Sequence, residues 1–366
     1  MPIGISRTIA VTHSASSEDM DTIRRFGLVG SAALGVPRLL RRSKAAATVL
    51  LSHRYFSGSE AKSRSIDRLR GQLEWLQGAY KPISVSTLIN GLAKGDVLND
   101  SIVVTTDDAL CDVYEVCEEF RNFGVPLAIF ACVGWVGSQA FVENDALIQA
   151  VNAIQWYEGP DARITLGGKF NCDLVPSKKS ENIDWILNER ELLLPHLEEL
   201  YFEIAALTER PRPRAVCTWS ELHQLASVGV YIGAHSVSHV PISQMSAVRR
   251  DFEIKESKRV IEAQFGSCTA FAYPYGMRGT YSDSTLAELK AAGFQAAFLT
   301  HSDIITEASS IFELPRITLP DTPLPLIEFK ARVRGGGIPF RRLKEFAFSK
   351  AGLMDTLDFR PEIPSV

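Results

Sequence analysis

Ser101-Ile-Val-Val-Thr-Thr-Asp-Asp108 reads as a β-strand that ends on two carboxylates. Five β-branched residues in succession, from Ile102 to Thr106, are stiff at χ1 and favour a pleated strand over a helix. The run lacks polar alternation, so it suits a strand covered on both faces, as in a parallel sheet. Adjacent carboxylates at the end of an apolar strand are costly unless a cation or hydrogen bonds compensate them. Side chains alternate along a strand, so Asp107 and Asp108 are expected to point in different directions unless the strand has already ended. Taken alone, the pair also fits a plainer role as N-caps for the helix that the pattern places from residue 112.

Working outward from this strand, short apolar runs recur at 47–52, 126–132, 230–234, 269–273, 295–299 and 314–319. Helical patterns fall between them, at 63–78, 86–94, 112–123, 246–265 and 282–292, and a capping box at Thr218 and Glu221 opens another. Strands that alternate with helices imply parallel pairing through crossover helices. Polar residues collect just after the strand ends: Asp107 and Asp108, His235 and His239, the turn 273–276, and His301. In α/β barrels that end of the strands forms the mouth, so these clusters are expected to converge there.

His235-Ser-Val-Ser-His239 also follows a strand. Two histidines four apart on one turn are able to share a metal, although an isolated pair is as often two unrelated loop histidines. Combined with one aspartate they make a site for a divalent ion with positions left open for water and substrate. Phe271-Ala-Tyr-Pro-Tyr-Gly276 is a strand followed by a turn, marked by Pro274 and Gly276. Its backbone N–H groups are candidates to face a developing oxyanion; the plainer reading is a turn packed with aromatic rings.

With these segments in hand, the chain resembles the polysaccharide deacetylases with a NodB-homology domain, carbohydrate esterase family 4. The first family motif, T-F-D-D-G, appears as Thr105-Thr106-Asp107-Asp108-Ala109, and the second, H-[S/T]-x-x-H, as His235-Ser236-Val237-Ser238-His239. The third stands as Phe271-Ala-Tyr-Pro-Tyr-Gly276, the opening strand as Val49-Leu-Leu-Ser-His53-Arg54 and the closing one as Leu314-Pro-Arg316-Ile317. The resemblance covers roughly residues 47–320 in family order. It implies a distorted (β/α)7 barrel with an insertion between the first two motifs. It implies removal of N-acetyl groups from a GlcNAc-containing polysaccharide or chitooligosaccharide. Asp107 then matches the catalytic base, Asp108, His235 and His239 the metal ligands, and the backbone N–H of Tyr275 an oxyanion donor. Zn²⁺ is the expected ion, with other first-row divalent ions open. Leu299-Thr-His301 matches the family's L-x-H spelling, which makes His301 the candidate general acid. His53, at another strand end, is a candidate for facing the substrate or supporting a ligand.

Three positions depart from the family pattern. Ala109 replaces a glycine, which strains the chain if that position needs φ > 0. Thr106 replaces an aromatic residue. Ala272 stands where the family arginine steadies the base, and Arg316 on the last strand is expected to substitute for it. The departures keep open a catalytically impaired, glycan-binding relative. A metal-dependent amidase acting on a non-sugar C–N bond is a third reading.

Composition sets the remaining bounds. The 366 residues carry a net charge of −4, which gives no basic excess for nucleic-acid phosphates, and no such partner is expected. The six cysteines are scattered without a C-x-x-C pair, so core packing is the expectation for them. Arg24 and Arg25 precede an apolar stretch at 26–36 that is too short to span a bilayer. It is interrupted by glycines and followed by Pro37 and further arginines. The expectation is a short helix packed on the domain or against a membrane surface through residues 24–42, in a cytoplasmic protein; twin-arginine export stays open. The chain then divides into an appendage at 1–45, a deacetylase-like domain at 46–325 and an extension at 326–366. The less regular insertion at 134–215 carries a Gly/Lys/Ser-rich patch at 167–180 and a helix at 183–207.

Overall fold

The computed structural model describes residues 47–56, 62–137, 159–196, 216–320 and 324–336, with Ile338 and scattered positions among 150–157 and 199–207. The N-terminal appendage and its candidate membrane contact at 24–42 lie outside the described residues. No helix among the described residues is long and apolar enough to cross a membrane.

Strand β1 (Thr48–Ser52) leads to helix α1 (Lys62–Ala79), the short β2 (Lys81–Pro82) and helix α2 (Val85–Lys94). Next come β3 (Ser101–Asp107), α3 (Asp112–Asn122) and β4 (Leu127–Ala131). Past β4 an antiparallel hairpin, β5 (Ala162–Leu166) and β6 (Phe170–Leu174), and helix α4 (Lys179–Asn188) stand apart from the main sheet. The alternation resumes with α5 (Trp219–Ser227), β7 (Tyr231–Ala234), α6 (Ala247–Phe265) and β8 (Ala270–Ala272). It closes with α7 (Asp283–Ala291), β9 (Ala296–Phe298) and β10 (Ile317–Thr318). Helix α8 (Leu326–Val333) belongs to a second compact unit, whose C-terminal segment begins at Leu324.

The main sheet is parallel throughout, in the order β10-β1-β3-β4-β7-β8-β9, with β2 on the edge of β3. The two ends nearly meet. Leu314 bridges Phe298 of β9, and three residues later Ile317 pairs with Leu50 of β1. This is the distorted (β/α) barrel that the motif order implies. Alternate residues of the strands, among them Val49, Val103, Phe130, Ala272, Phe298 and Leu314, form one buried cluster inside it. Alanines on β8 and β9 leave room for Phe130 and Phe298, whose ring centroids lie 5.3 Å apart.

Register decides where the chemistry goes. Asp107 pairs with Phe130, Ala131 with Ala234, Ala234 with Phe271, and Ala272 with Phe298. The strand ends are therefore level, and the residues that follow them rise from one rim.

The insertion differs from its expectation. The Gly/Lys/Ser-rich patch is the turn and second strand of a hairpin, in which Gly167 and Gly168 (φ 54° and 67°) turn the chain and Lys169 N–H donates to the Leu166 carbonyl. The single helix expected over 183–207 begins earlier, at Lys179, and ends at Asn188. After a break at Glu189 the chain takes a further helical turn, Arg190–Leu193, and Pro195 lies in the short turn Leu194–His196 that follows. Ile164, Leu166, Cys172, Leu174 and Ile186 pack into a hydrophobic cluster of the insertion's own.

Candidate active site

Asp107 is the last residue of β3 and has no exposed surface. It lies on the inward side with Thr105, two residues back. Arg316, also fully buried, grips it with both terminal nitrogens, Nη1 to Oδ1 at 2.7 Å and Nη2 to Oδ2 at 2.6 Å. Nε of the same guanidinium donates to the Leu299 carbonyl at 2.7 Å, and Nη1 also reaches Thr105 Oγ1 at 3.2 Å. The guanidinium carbon lies 5.7 Å from the centroid of the Phe130 ring. Burial alone would raise the Asp107 carboxyl; the Arg316 charge outweighs it, with His235 and His53 adding to the effect, and holds it at about 2. The arginine absent at Ala272 is thus supplied from the far side of the sequence, while the Ala272 carbonyl takes a different task described below.

Asp108 leaves the strand in a left-handed conformation (φ 68°), which turns its side chain away from that of Asp107. The two aspartates do not cap α3, whose N-cap is Cys111. Oδ1 of Asp108 is buried without a hydrogen-bond partner, 3.5 Å from Nε2 of His235 and 3.5 Å from Nε2 of His239. His235 donates Nδ1–H to the Ala272 carbonyl at 2.8 Å, so its Nε2 presents a lone pair to the group. Burial lowers both histidines, His239 to about 4 against the pull of Asp107, which keeps the imidazoles neutral as a metal requires.

This donor set fits a divalent metal. The ligand atoms of Asp108, His235 and His239 lie within 4.8 Å of one another. Tetrahedral ligands about 2.0–2.1 Å from Zn²⁺ stand roughly 3.3–3.4 Å apart, close to the two separations seen here. Burial pushes the Asp108 carboxyl up, and an unpartnered buried oxygen between two imidazole lone pairs calls for a cation.

The surrounding backbone is strained in the same place. Six non-glycine residues among those described have positive φ, and Asp108, Ala109, Ser236, His239 and Tyr275 are five of them. Such strain persists only where the neighbouring structure over-determines it, and it gathers at functional sites. Ala109 takes φ 55°, the conformation expected to favour glycine, with its carbonyl accepting from Cys217 N–H at 2.8 Å.

Tyr275 follows β8, and its ring centroid stands 4.9 Å from that of His239. Its carbonyl accepts from the Thr300 hydroxyl. His301 lies just past β9 at the same end of the barrel, half-buried, with its carbonyl accepting from Arg316 N–H at 3.1 Å. His53, just past β1, lies near enough to Asp107, Asp108 and His239 to interact with them electrostatically. The sequence reading overlooked Trp135, whose ring centroid is 4.9 Å from His239 on the turn after β4. Its signal was an aromatic residue placed directly beyond a strand end.

A parallel barrel with a paired carboxylate and an Asp-His-His cluster on its rim is equipped as a hydrolytic enzyme. The chain belongs to the polysaccharide deacetylase family, whose sequence model matches residues 94–297, more than half of its length. Members of this family act on acetylated glycans and are generally metal-dependent. Solved structures agree on the fold. IcaB from Ammonifex degensii superposes with a TM-score of 0.51 at 15% identity, covering 80% of this chain and 98% of that one. The Streptococcus pyogenes deacetylase PplD, in complex with acetate, gives 0.50 at 15% identity over 76% and 94%. The putative polysaccharide deacetylase BA0330 from Bacillus anthracis gives 0.50 at 14% identity over 79% and 69%. No curated protein sequence matches the chain.

Proposed function

We propose that this chain is a metal-dependent N-deacetylase of a GlcNAc-containing polysaccharide or oligosaccharide, chitooligosaccharides included. The observation that carries the reading is the unpartnered Asp108 Oδ1, held 3.5 Å from two imidazole nitrogens and next in sequence to a carboxylate locked by arginine. A divalent ion held by Asp108, His235 and His239 would supply a Lewis acid for the acetyl carbonyl and acidify a water.

The remaining work falls to the chain's own groups. Asp107 receives the proton of the attacking water, and Arg316 fixes the carboxylate so that it faces the reaction in one orientation. The Tyr275 N–H donates to the oxygen on which negative charge develops. His301 gives a proton to the departing amine, so that acetate and a free amino sugar leave. PplD, a structural neighbour, holds acetate, which is the acid product of this reaction.

Two observations support turnover over an impaired relative. Arg316 grips Asp107, as expected of a substitute for the arginine missing at Ala272, and Ala109 adopts φ 55° without a glycine. The test is acetate release from N-acetylglucosamine oligomers by purified protein, with and without a chelator. Chelator-sensitive release is expected. Metal-loaded protein that releases no acetate from any acetylated glycan would overturn the reading in favour of a binding module.

A further inference from the structure

The two histidine ligands sit at the ends of the loop 235–239, and its middle is held by one buried side chain. Glu253 lies on α6, a 19-residue helix capped by Ser246, and has no exposed surface. Its Oε2 accepts the backbone N–H groups of Val237 at 2.7 Å and Ser238 at 2.9 Å. Its Oε1 accepts the Ser238 hydroxyl at 2.6 Å and pairs with Arg249 at 2.6 Å. Both carboxylate oxygens are therefore committed to Val237 and Ser238, two of the three residues between His235 and His239, or to an arginine one turn back on the same helix.

The opposite side of the loop is held as well. The N–H groups of Val133 and Gly134 donate to the carbonyls of Ser236 (3.1 Å) and Val237 (3.0 Å), and Cys132 Sγ lies 3.0 Å from the Val237 carbonyl. A Cβ on Gly134 would collide with that carbonyl, so the approach requires glycine. Within the loop, the Ser236 hydroxyl accepts from His239 N–H at 3.0 Å. Ser236 and His239 both stand at positive φ, 64° and 56°. A five-residue loop with two such residues needs outside support to stay in place.

We propose that Glu253 is a positioning residue for the metal ligands: it sets the 235–239 loop before any metal arrives, so that His235 and His239 present their nitrogens without rearrangement. A buried carboxylate that accepts two consecutive backbone N–H groups behaves as an anion seated in a backbone concavity, and removing it leaves both donors buried and unsatisfied. The inference rests on the reading of Asp108, His235 and His239 as metal ligands.

The test uses the full chain and Zn²⁺, with affinity read by competition against a chromophoric chelator. Glu253→Ala is expected to weaken Zn²⁺ binding by about 10- to 100-fold, the usual cost of losing a group behind a ligand. Glu253→Gln keeps an oxygen for both N–H groups and is expected to stay within about 5-fold of wild type. Glu288→Gln, which weakens the ion pair between α7 and Arg250 on the same helix as Glu253, controls for general loss of stability and should leave the affinity unchanged.

Glu253→Asp, one methylene short of the loop, replaces the alanine variant if that one does not fold. A folded Ala or Asp variant that binds Zn²⁺ within twofold of wild type would overturn the proposal. Amide exchange in the metal-free wild type is decided separately. The Val237 and Ser238 amides are expected to be protected before metal is added; exchange at open-loop rates would also overturn it. Because that second measurement needs no metal, a wild type that fails to bind Zn²⁺ would count against the ligand reading and not against Glu253.

Discussion

Arg316 and Asp107 meet two-for-two in the barrel interior, with Nη1–Oδ1 at 2.7 Å and Nη2–Oδ2 at 2.6 Å and neither side chain exposed. They stand 209 residues apart in the chain; Asp107 ends β3, Arg316 directly precedes β10, and β1 lies between those two strands. The pair is reached across the barrel lumen. A planar guanidinium matches a carboxylate in this bidentate way and fixes the carboxylate plane, which a lysine ammonium does not do.

Replacing Arg316 should therefore separate positioning from metal binding. Arg316→Lys keeps the charge but loses the fork, and at least a 100-fold fall in kcat is expected with Zn²⁺ stoichiometry unchanged. Arg316→Ala strands a buried carboxylate and should also cost about 3–5 kcal/mol of stability. Both are read by acetate release, metal analysis and urea unfolding. An Arg316→Lys enzyme with wild-type kcat would show that the orientation of Asp107 does not matter.

Acid should weaken the metal-free protein in a defined window. Burial lowers His239 from 6.5 to about 4 and lowers His235 as well. Between those values the unfolded chain binds protons that the folded chain refuses, so stability rises with pH there and falls as pH drops from about 6.5 toward 4. Each histidine contributes up to about 1.4 kcal/mol per pH unit. Asp107 acts in a lower range. Its carboxyl is held at about 2, so its stabilisation is present above its ordinary value of 3.8 and is lost only as pH falls through about 2. Urea midpoints at pH 7, 6 and 5 should decline for metal-free wild type and decline less for His239→Gln. Equal slopes for the two proteins would be the contrary result.

Ala109 offers a test of strain. At φ 55° and fully buried, it occupies a conformation in which glycine loses nothing sterically but more chain entropy. Relief of strain and added entropy nearly cancel, so Ala109→Gly should change stability by less than about 1 kcal/mol and leave turnover near wild type. A β-branched residue is a true outlier there, and Ala109→Val should be destabilised by about 2 kcal/mol or more and lose metal affinity, because Asp108 precedes it. Thermal unfolding and Zn²⁺ titration read both effects. A valine variant as stable as wild type would mean that the loop relaxes freely.

The barrel was legible because its strands are runs of β-branched and apolar residues bounded by polar clusters, a pattern that register then levels into one rim. The cluster of Asp108, His235 and His239 was legible because two histidines four residues apart and an aspartate at a strand end are residue types able to hold a metal, and each follows a strand. Arg316 was visible only by its position in Leu-Pro-Arg-Ile, and its reach to Asp107 is a property of barrel closure. Glu253 gave no signal at all: a glutamate in the middle of a helix rich in charges looks solvated until the helix is packed against the 235–239 loop. The hairpin of the insertion was not read from the sequence: its polar and charged residues pass for loop, although Gly167-Gly168 stands at the turn between its two strands. The helical segment after it is broken at Glu189 into Lys179–Asn188 and Arg190–Leu193, a break that no single residue type announces.

His301, the candidate acid, and His53, the candidate for facing the substrate or supporting a ligand, are separated by leaving-group chemistry. An amine must be protonated as it departs, whereas a nitrophenolate leaves unaided. If His301 is the donor, His301→Gln should lower kcat on an N-acetylglucosamine oligomer by about 100-fold or more, within the range a positioned acid contributes. It should lower hydrolysis of p-nitrophenyl acetate by less than about threefold, since that step needs no acid. His53 instead acts on the charges of Asp107, Asp108 and His239. Removing it would disturb the attacking side of the reaction, so His53→Gln should depress both substrates alike. The reverse pattern, with His53→Gln sparing the ester and His301→Gln affecting both, would move the proton donor to β1.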